Sequence, residues 1–566
     1  MKKLILAVNF VMIAALLLAG CAQPTPAPTV APPPTEAPAA APATTYPSPE
    51  VPTAAANAPE PTPYPVVAPT EVAAPTEPPA PAGPKILKIR IPFDIVDMDP
   101  AFMTGSLENS ITNNIYQGLI EYRGNYDQYF DSLISEPLKV SDDGLKISFK
   151  LQEGIQFQKG YGELTAEDVK FSFERIIDPE VNASYRDNWK TLDHVEVTGK
   201  YTGDIILKAP FAPLFNSTLP ATTGWIVSKK AVEEMGNDKL KTNPVGTGPY
   251  EFVEWVPNQK VVLKRYDGYW GTKGYWDEID FLVIVENSAA EIALEAGEVD
   301  FTLLGTDAAD RISADPKYSV YPTQLQSYGW IAFNVQAPNL KDVNVRKAIR
   351  EAIDVPSILE ASYNGKYKQA CAMIAPGMLG FWEDAPCYPR NLDQAKADLK
   401  AAGVTSMNVK LTYETNAENQ TTAEVVQANL AEIGITVELV PQDSGVFWEE
   451  GYGENAPKVR ELTLMSYSTY PDPSFDTQWF TCAQVVEWNW MYWCSPEFDK
   501  LNDQGMTELD PDKRKEIYIQ AQQLMDQDAI AVWLYYPTNY YASRSSLDAN
   551  YIDSGNAFYP WMFTEK

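Results

Sequence analysis

Residues 407–440 read MNVKLTYETNAENQTTAEVVQANLAEIGITVELV. Met407 to Tyr413 has the composition of a strand. Val425, Val426, Leu430 and Ile433 then form one apolar stripe at helical spacing, Gly434 stops the helix, and Ile435 to Val440 reads as a second strand. Strand, helix and strand in that order imply a right-handed parallel crossover and hence an α/β fold. The surroundings agree. Asn391 can cap a helix running through Ala401, with Ala395 and Leu399 inward and Gly403 as its stop. Near the end of the chain, Asp510 caps and Pro511 starts a helix bearing Ile517, Ala521, Leu524 and Met525. In open parallel sheets ligands sit beyond the carboxyl ends of the strands. Two loops therefore become candidate binding segments: Tyr413-Glu414-Thr415-Asn416, and Ser466 to Asp472, which leaves a strand at Leu462 to Met465 and contains Ser468, Thr469 and Tyr470.

The amino terminus carries a different message. Lys2 and Lys3 precede an apolar run from Leu4 to Leu18, the layout of a secretory signal over residues 1–20. Leu18-Ala19-Gly20-Cys21 resembles the lipobox of bacterial lipoproteins, which implies lipidation at Cys21 and anchoring to the outer face of the cell membrane. Residues 21–84 are almost wholly Pro, Ala, Thr, Val and Glu, too poor in large apolar groups to fold, and are expected to form an extended tether. Four cysteines remain, an even number suited to an oxidising compartment. Proximity favours Cys371 with Cys387 and Cys482 with Cys494, although sequence alone permits three pairings.

The remaining stretch is long enough for two or three lobes. A formal net charge of −32 makes nucleic acid a poor partner. No GxxxxGK[ST] segment is present, so the chain is not expected to use ATP itself. The one histidine, His194, lies in an alternating stretch and reads as an exposed strand position. Scarcity of imidazole argues against hydrolase triads and transition-metal sites, and no cofactor is expected. Among enzymes, a paired-carboxylate glycosidase tethered at the surface remains as an alternative.

Six stretches in order resemble the peptide/nickel class of extracytoplasmic solute-binding proteins of ABC importers, the dipeptide- and oligopeptide-binding family. They are Met98-Asp99-Pro100 with Asn114-Ile115-Tyr116-Gln117-Gly118-Leu119; Ser141 to Leu145; Leu164 to Val169; Asn243 to Tyr250; Glu295 to Asp300; and Val345 to Ile349 with Ala352-Ile353-Asp354. Most read as architecture: Gly246 and Gly248 suit a turn with positive φ, and Arg346 to Asp354 an amphipathic helix. The resemblance implies a two-lobed periplasmic-binding-protein-like α/β fold (type II, cluster C). Lobe I would take residues 85–331 with a subdomain near 105–195, lobe II residues 332–532, and residues 533–566 would return to lobe I. The two crossings, at about Ile331 to Asn334 and Val532 to Tyr535, would form a two-strand hinge. The closed, monomeric protein would be recognised by an ABC permease with its ATPase subunits.

In peptide-binding relatives an aspartate pairs with the ligand's α-ammonium group, and the matching position here is Thr469. A hydroxyl cannot supply the countercharge that a buried ammonium needs. Asp472 is a possible substitute. Aromatic and polar candidates for the cleft are Trp225, Tyr328, Trp330, Trp488, Asn489 and Trp490, whose flat faces with polar tips suit a wet, amphipathic site. The sequence therefore points to a membrane-anchored receptor for a peptide or similar small organic solute, with an oligosaccharide receptor of the same fold as the first alternative.

Overall fold

The computed structural model describes residues 83–103, 105–123, 125–451, 460–467, 471–549 and 557–566. The signal segment, Cys21, almost all of the tether, and Ser468, Thr469 and Tyr470 lie outside the described residues.

Two β-sheets organise the chain. The first has seven strands, in the order Tyr250–Val256, Lys260–Arg265, Glu278–Val283, Ile86–Ile91, Phe301–Leu304, Thr538–Arg544 and Tyr318–Gln324. Ile86–Ile91 runs parallel to both of its neighbours, and the outer pairs are antiparallel. The second has six strands, in the order Lys368–Gln369, Ala531–Tyr536, Tyr328–Phe333, Leu462–Tyr467, Met407–Glu414 and Ile435–Gln442. The expected crossover is present: Met407–Glu414 and Ile435–Gln442 are parallel neighbours joined by the helix Ala417–Ala431, which buries Val426 and Leu430. Asn391 caps the helix Leu392–Ala401 by accepting from Gln394 N, and Asp510 caps Pro511–Gln527 from Asp512 N and Lys513 N.

Each sheet with its helices is a lobe, and the fold is the two-lobed α/β form of periplasmic binding proteins. Within lobe II the strand Tyr328–Phe333 is buried on both faces, and its alternation divides two cores. Ile331 and Phe333 join the core under the helices Val343–Ala352, Val355–Tyr363 and Ala417–Ala431. Tyr328, Trp330 and Ala332 join an aromatic core with Phe480, Trp490 and Tyr518. Both proximity pairs are disulfide-bonded, Cys371–Cys387 and Cys482–Cys494, with Cα separations of 4.8 and 4.5 Å. Lobe I carries a further four-stranded sheet, Lys139–Val140, Lys146–Lys150, Thr202–Leu207 and Leu192–Gly199. The helix Ala166–Ile177 covers it, with Thr165 and Asp168 forming a capping box. His194 sits exposed on Leu192–Gly199 beside Asp193, at 2.8 Å.

Four expectations move. The chain passes between the sheets at Leu325-Gln326-Ser327 and at Pro537, not at 331–334, where a lobe II strand runs to its end at Phe333, nor at 532–535, which lie within a strand of lobe II. The apolar strand Tyr328–Phe333 hides the earlier break because both of its faces are buried, so no change of periodicity marks it. The subdomain reaches past 195, since the hairpin Leu192–Gly199 with Thr202–Leu207 is one unit. The helix expected to Asp354 ends at Ala352, and Asp354 instead caps the next helix by accepting from Ser357 N. Gly246 and Gly248 are absent from the positive-φ residues. Close approach is what demands glycine there: a Cβ would lie 2.0 Å from Ile115 O at Gly246 and 2.6 Å from Asn114 O at Gly248.

Candidate functional site

The carboxyl ends of Phe301–Leu304 from lobe I and of Met407–Glu414 and Leu462–Tyr467 from lobe II open on one cleft of about 1120 Å3. This is the position that parallel-strand topology assigns to a ligand. The two passages border it and are tied to each other, Leu325 N donating to Pro537 O (2.9 Å) and Gln324 Nε2 to the same carbonyl (3.0 Å). Bending is thereby confined to a few residues between two rigid sheets.

Lobe I contributes Asn287, Gly305, Thr306, Thr538 and Asn539, and lobe II contributes Glu414, Asn416, Glu418, Asn419 and Tyr467. Beside them a tyrosine trio packs: Tyr363 stacks on Tyr367 at 4.3 Å, and Tyr535 meets the two at 4.8 and 5.2 Å. Burial raises the phenol pKa of all three above the ordinary value, so they stay neutral donors. Asn416 caps the helix Ala417–Ala431 with its carbonyl oxygen, which accepts from Asn419 N at 2.7 Å. Ser327, on the first passage, is 6% exposed and its Oγ has no protein partner. Glu414 and Glu418 give the cleft negative charge, and among its described lining residues there is no lysine, arginine or histidine.

Contacts join the lobes at two places. At one, Lys366 of lobe II is ion-paired with Asp310 of lobe I, and Asn364 Nδ2 donates to Thr306 Oγ1 at 3.5 Å. Away from the cleft lining, the lobes also meet where Ala212 N donates to Met506 O (2.9 Å) and Tyr185 meets Phe475 edge-on at 6.2 Å.

A profile of bacterial extracellular solute-binding proteins, family 5, matches residues 129–486. The chain belongs to this family. This family 5 protein is 28% identical over 487 residues to the dipeptide-binding protein of Escherichia coli K12, an alignment covering 80% of its own length and 89% of the relative's. The ABC transporter-associated periplasmic binding protein DppA of Helicobacter pylori, solved with the peptide STSA, is 25% identical with a TM-score of 0.73. That match covers 85% of this chain and 98% of the other. The ABC transporter substrate-binding protein CtaP of Listeria monocytogenes shares the fold, with a TM-score of 0.77 at 24% identity over 85% of this chain and 99% of the other.

The sequence-predicted site residues of this family 5 protein divide sharply. Glu414 and Asn416 line the cleft. Tyr413 does not: it is 1% exposed in the core and its hydroxyl donates to Gln420. Tyr328 and Trp330 belong to the aromatic core, at 0% and 1% exposure, because alternation points them away from the helices Val343–Ala352, Val355–Tyr363 and Ala417–Ala431 and toward the disulfide-bonded segments and the helix Pro511–Gln527. Asp472 is fully buried and receives two bonds of 2.6 Å from Arg514, while also capping the helix Pro473–Thr477. Burial pushes its carboxyl pKa up, but the guanidinium outweighs that and holds it below the usual range. Asn489 is buried and donates to the carbonyls of Phe480 (3.0 Å) and Trp493 (2.7 Å), fastening the Cys482–Cys494 loop. Trp490 is packed under the Arg460 guanidinium at 4.5 Å. Trp225 lies in lobe I against Tyr116 at 6.1 Å, on a different cavity.

Trp488 alone of the predicted tryptophans is exposed. It continues an aromatic lane from the cleft residue Tyr467 (6.3 Å) to Trp479 (5.5 Å), and Trp479 leads to Phe475 (5.5 Å) at the second contact with lobe I. Ser327, Tyr363, Tyr367 and Asn419 escaped the sequence reading. The only signal for Ser327 was a crossing expected about five residues too late, and the tyrosines sit beside a strand edge that no motif marks.

Proposed function

We propose that this family 5 protein captures a small organic solute between its lobes and delivers it, unaltered, to an ABC permease with its ATPase subunits. A peptide is the favoured solute. The receptor acts as a monomer, held to the outer face of the membrane by lipid on Cys21. The observation that carries the reading is the cleft itself: strand ends from two sheets converge on it, and two mutually bonded passages allow the sheets to close. Relatives named for peptides support the solute class. Glu414 and Glu418 offer the anionic charge that Thr469 lacks, so the solute's ammonium group is placed against the loop after Met407–Glu414.

A second reading, an oligosaccharide receptor, draws on the lane Tyr467, Trp488, Trp479 and Phe475, whose ring faces suit sugar rings. Calorimetric titration of the purified chain with di- to pentapeptides and with cello- and xylo-oligosaccharides separates the two. Peptide binding that weakens when the amino terminus is acetylated supports the first; saturable binding of glycans alone supports the second. Release of products from a glycan would overturn both in favour of a tethered hydrolase.

A further inference from the structure

Lobe I holds a second, partly open pocket that shares no lining residue with the cleft. Tyr116, Tyr122, Trp225, Tyr559 and Trp561 line it together with one acidic residue, Glu121. The C-terminal segment is fixed over it by Asn113 Nδ2 donating to Phe558 O (2.9 Å) and Phe558 N donating to Ser110 Oγ (3.1 Å), which brings Tyr559 and Trp561 into place. Residues more than 300 positions apart in sequence thus converge on one small space.

Glu121 accepts from Gly118 N at 3.1 Å. Burial pushes its carboxyl up to about 8, and among the described residues that line the cavity there is no lysine, arginine or histidine. The Oδ1 of Asn109, also on the wall, has no protein partner. Ring faces carry negative quadrupole potential, and a carboxyl among them lacks a counter-charge. A compact cation with an apolar shell satisfies both, whereas a metal ion would find a single carboxylate and a hydrated anion would be repelled.

We propose that this cavity binds a small organic cation, a quaternary or substituted ammonium ion, with the aromatic rings as its cage and Glu121 as its counter-ion. The site is independent of the solute in the cleft and stands whether that solute is a peptide or a glycan. Calorimetry at about pH 9, where the Glu121 carboxyl is ionised, on the purified full chain with choline, and with 3,3-dimethyl-1-butanol as its uncharged isostere, tests it. Choline is expected to bind at least about tenfold more tightly than the isostere, because only the cation gains from the rings and the carboxylate. Glu121→Gln lowers choline affinity about tenfold or more and leaves the isostere unchanged, the loss of one charge-assisted partner. Should that variant unfold, Trp561→Leu, at a partly exposed position near the C-terminus, serves instead and is expected to weaken choline by several-fold. The proposal is overturned by no saturable choline binding at millimolar concentration, by equal affinity for the isostere, or by a folded Glu121→Gln that binds choline as well as the parent. Competition between choline and a cleft-bound solute would likewise refute it.

Discussion

Two loops leave neighbouring parallel strands of lobe II side by side, and both carry acidic residues at strand ends. The loop after Met407–Glu414 presents Glu414 to the cleft, and the helix it leads into adds Glu418. The loop after Leu462–Tyr467 leads instead to Asp472, whose carboxylate is buried and occupied by Arg514. Glu414 ends its strand and Asp472 lies five residues past the end of its own (472 − 467), both on the carboxyl side; availability is opposite. An acidic residue beyond a strand end becomes a ligand group only if no other element supplies it with a buried partner. Here that partner comes from a helix 42 residues further along the chain.

The sharpest way to test the contrast is Asp472→Ala. It strands the Arg514 guanidinium and removes a helix cap, so stability is expected to fall by about 3–5 kcal/mol in urea unfolding, with any residual folded protein still binding solute. The pH dependence has a definite sign. The native carboxyl pKa lies below its ordinary value of about 4, so its stabilisation is complete above that and is lost as pH falls through the native value. Full stability of the alanine variant combined with lost binding would move Asp472 back into the site.

Next in size is the strap behind that loop. Replacing both Cys482 and Cys494 by serine opens a separation of 12 residues, and chain entropy gives an expected loss of about 3 kcal/mol. Since Asn489 and Trp488 ride on this segment, the same variant should also weaken the fixed aromatic packing of the lane, which near-ultraviolet circular dichroism can follow.

The other side of the comparison predicts binding loss with no stability loss. Glu414→Gln with Glu418→Gln keeps the volumes and removes the charge, so affinity for a solute bearing a free amine is expected to fall about tenfold or more while the unfolding midpoint holds. An unchanged affinity would assign the solute's countercharge to some other group. Ser327→Ala is expected to give a smaller, several-fold loss, that of one neutral hydrogen bond.

How much of this could be read in advance follows from the range of the signals involved. Helix caps such as Asn391 and Asp510 and the parallel crossover at 407–440 are local devices, and each lies where spacing and residue type put it. The position of the cleft at strand ends was also legible, because topology dictates it. What was not legible is which side chains face it. Tyr328 and Trp330 precede the expected crossing and look accessible, but a strand buried on both faces sends alternate residues to different cores and none to solvent. Asp472 and Asn489 look like ligand groups until their partners, Arg514 and the carbonyls of Phe480 and Trp493, are brought near by folding. Long-range pairing of this kind leaves no trace in a local window.

The smallest effect concerns closure. Lys366 and Asp310 join the lobes at one rim, with the aspartate side chain 80% exposed. Solvent screens such a pair, and ordering two long side chains offsets most of the attraction. Lys366→Met should therefore shift the ratio of open to closed molecules by no more than a few-fold, and the same shift should be reproduced in the parent by raising salt. The second inter-lobe contact, built on Ala212 N to Met506 O and the Tyr185–Phe475 pair, has no charge to screen and should hold. Single-molecule distance measurements between labels on the two lobes check this directly. A variant that opens almost completely would mean that the ion pair dominates closure, and that solute contacts with Glu414 and the tyrosine trio contribute little to it. A variant with an unaltered distribution would leave closure to the solute and the uncharged contact, the outcome that a ligand-driven population shift favours.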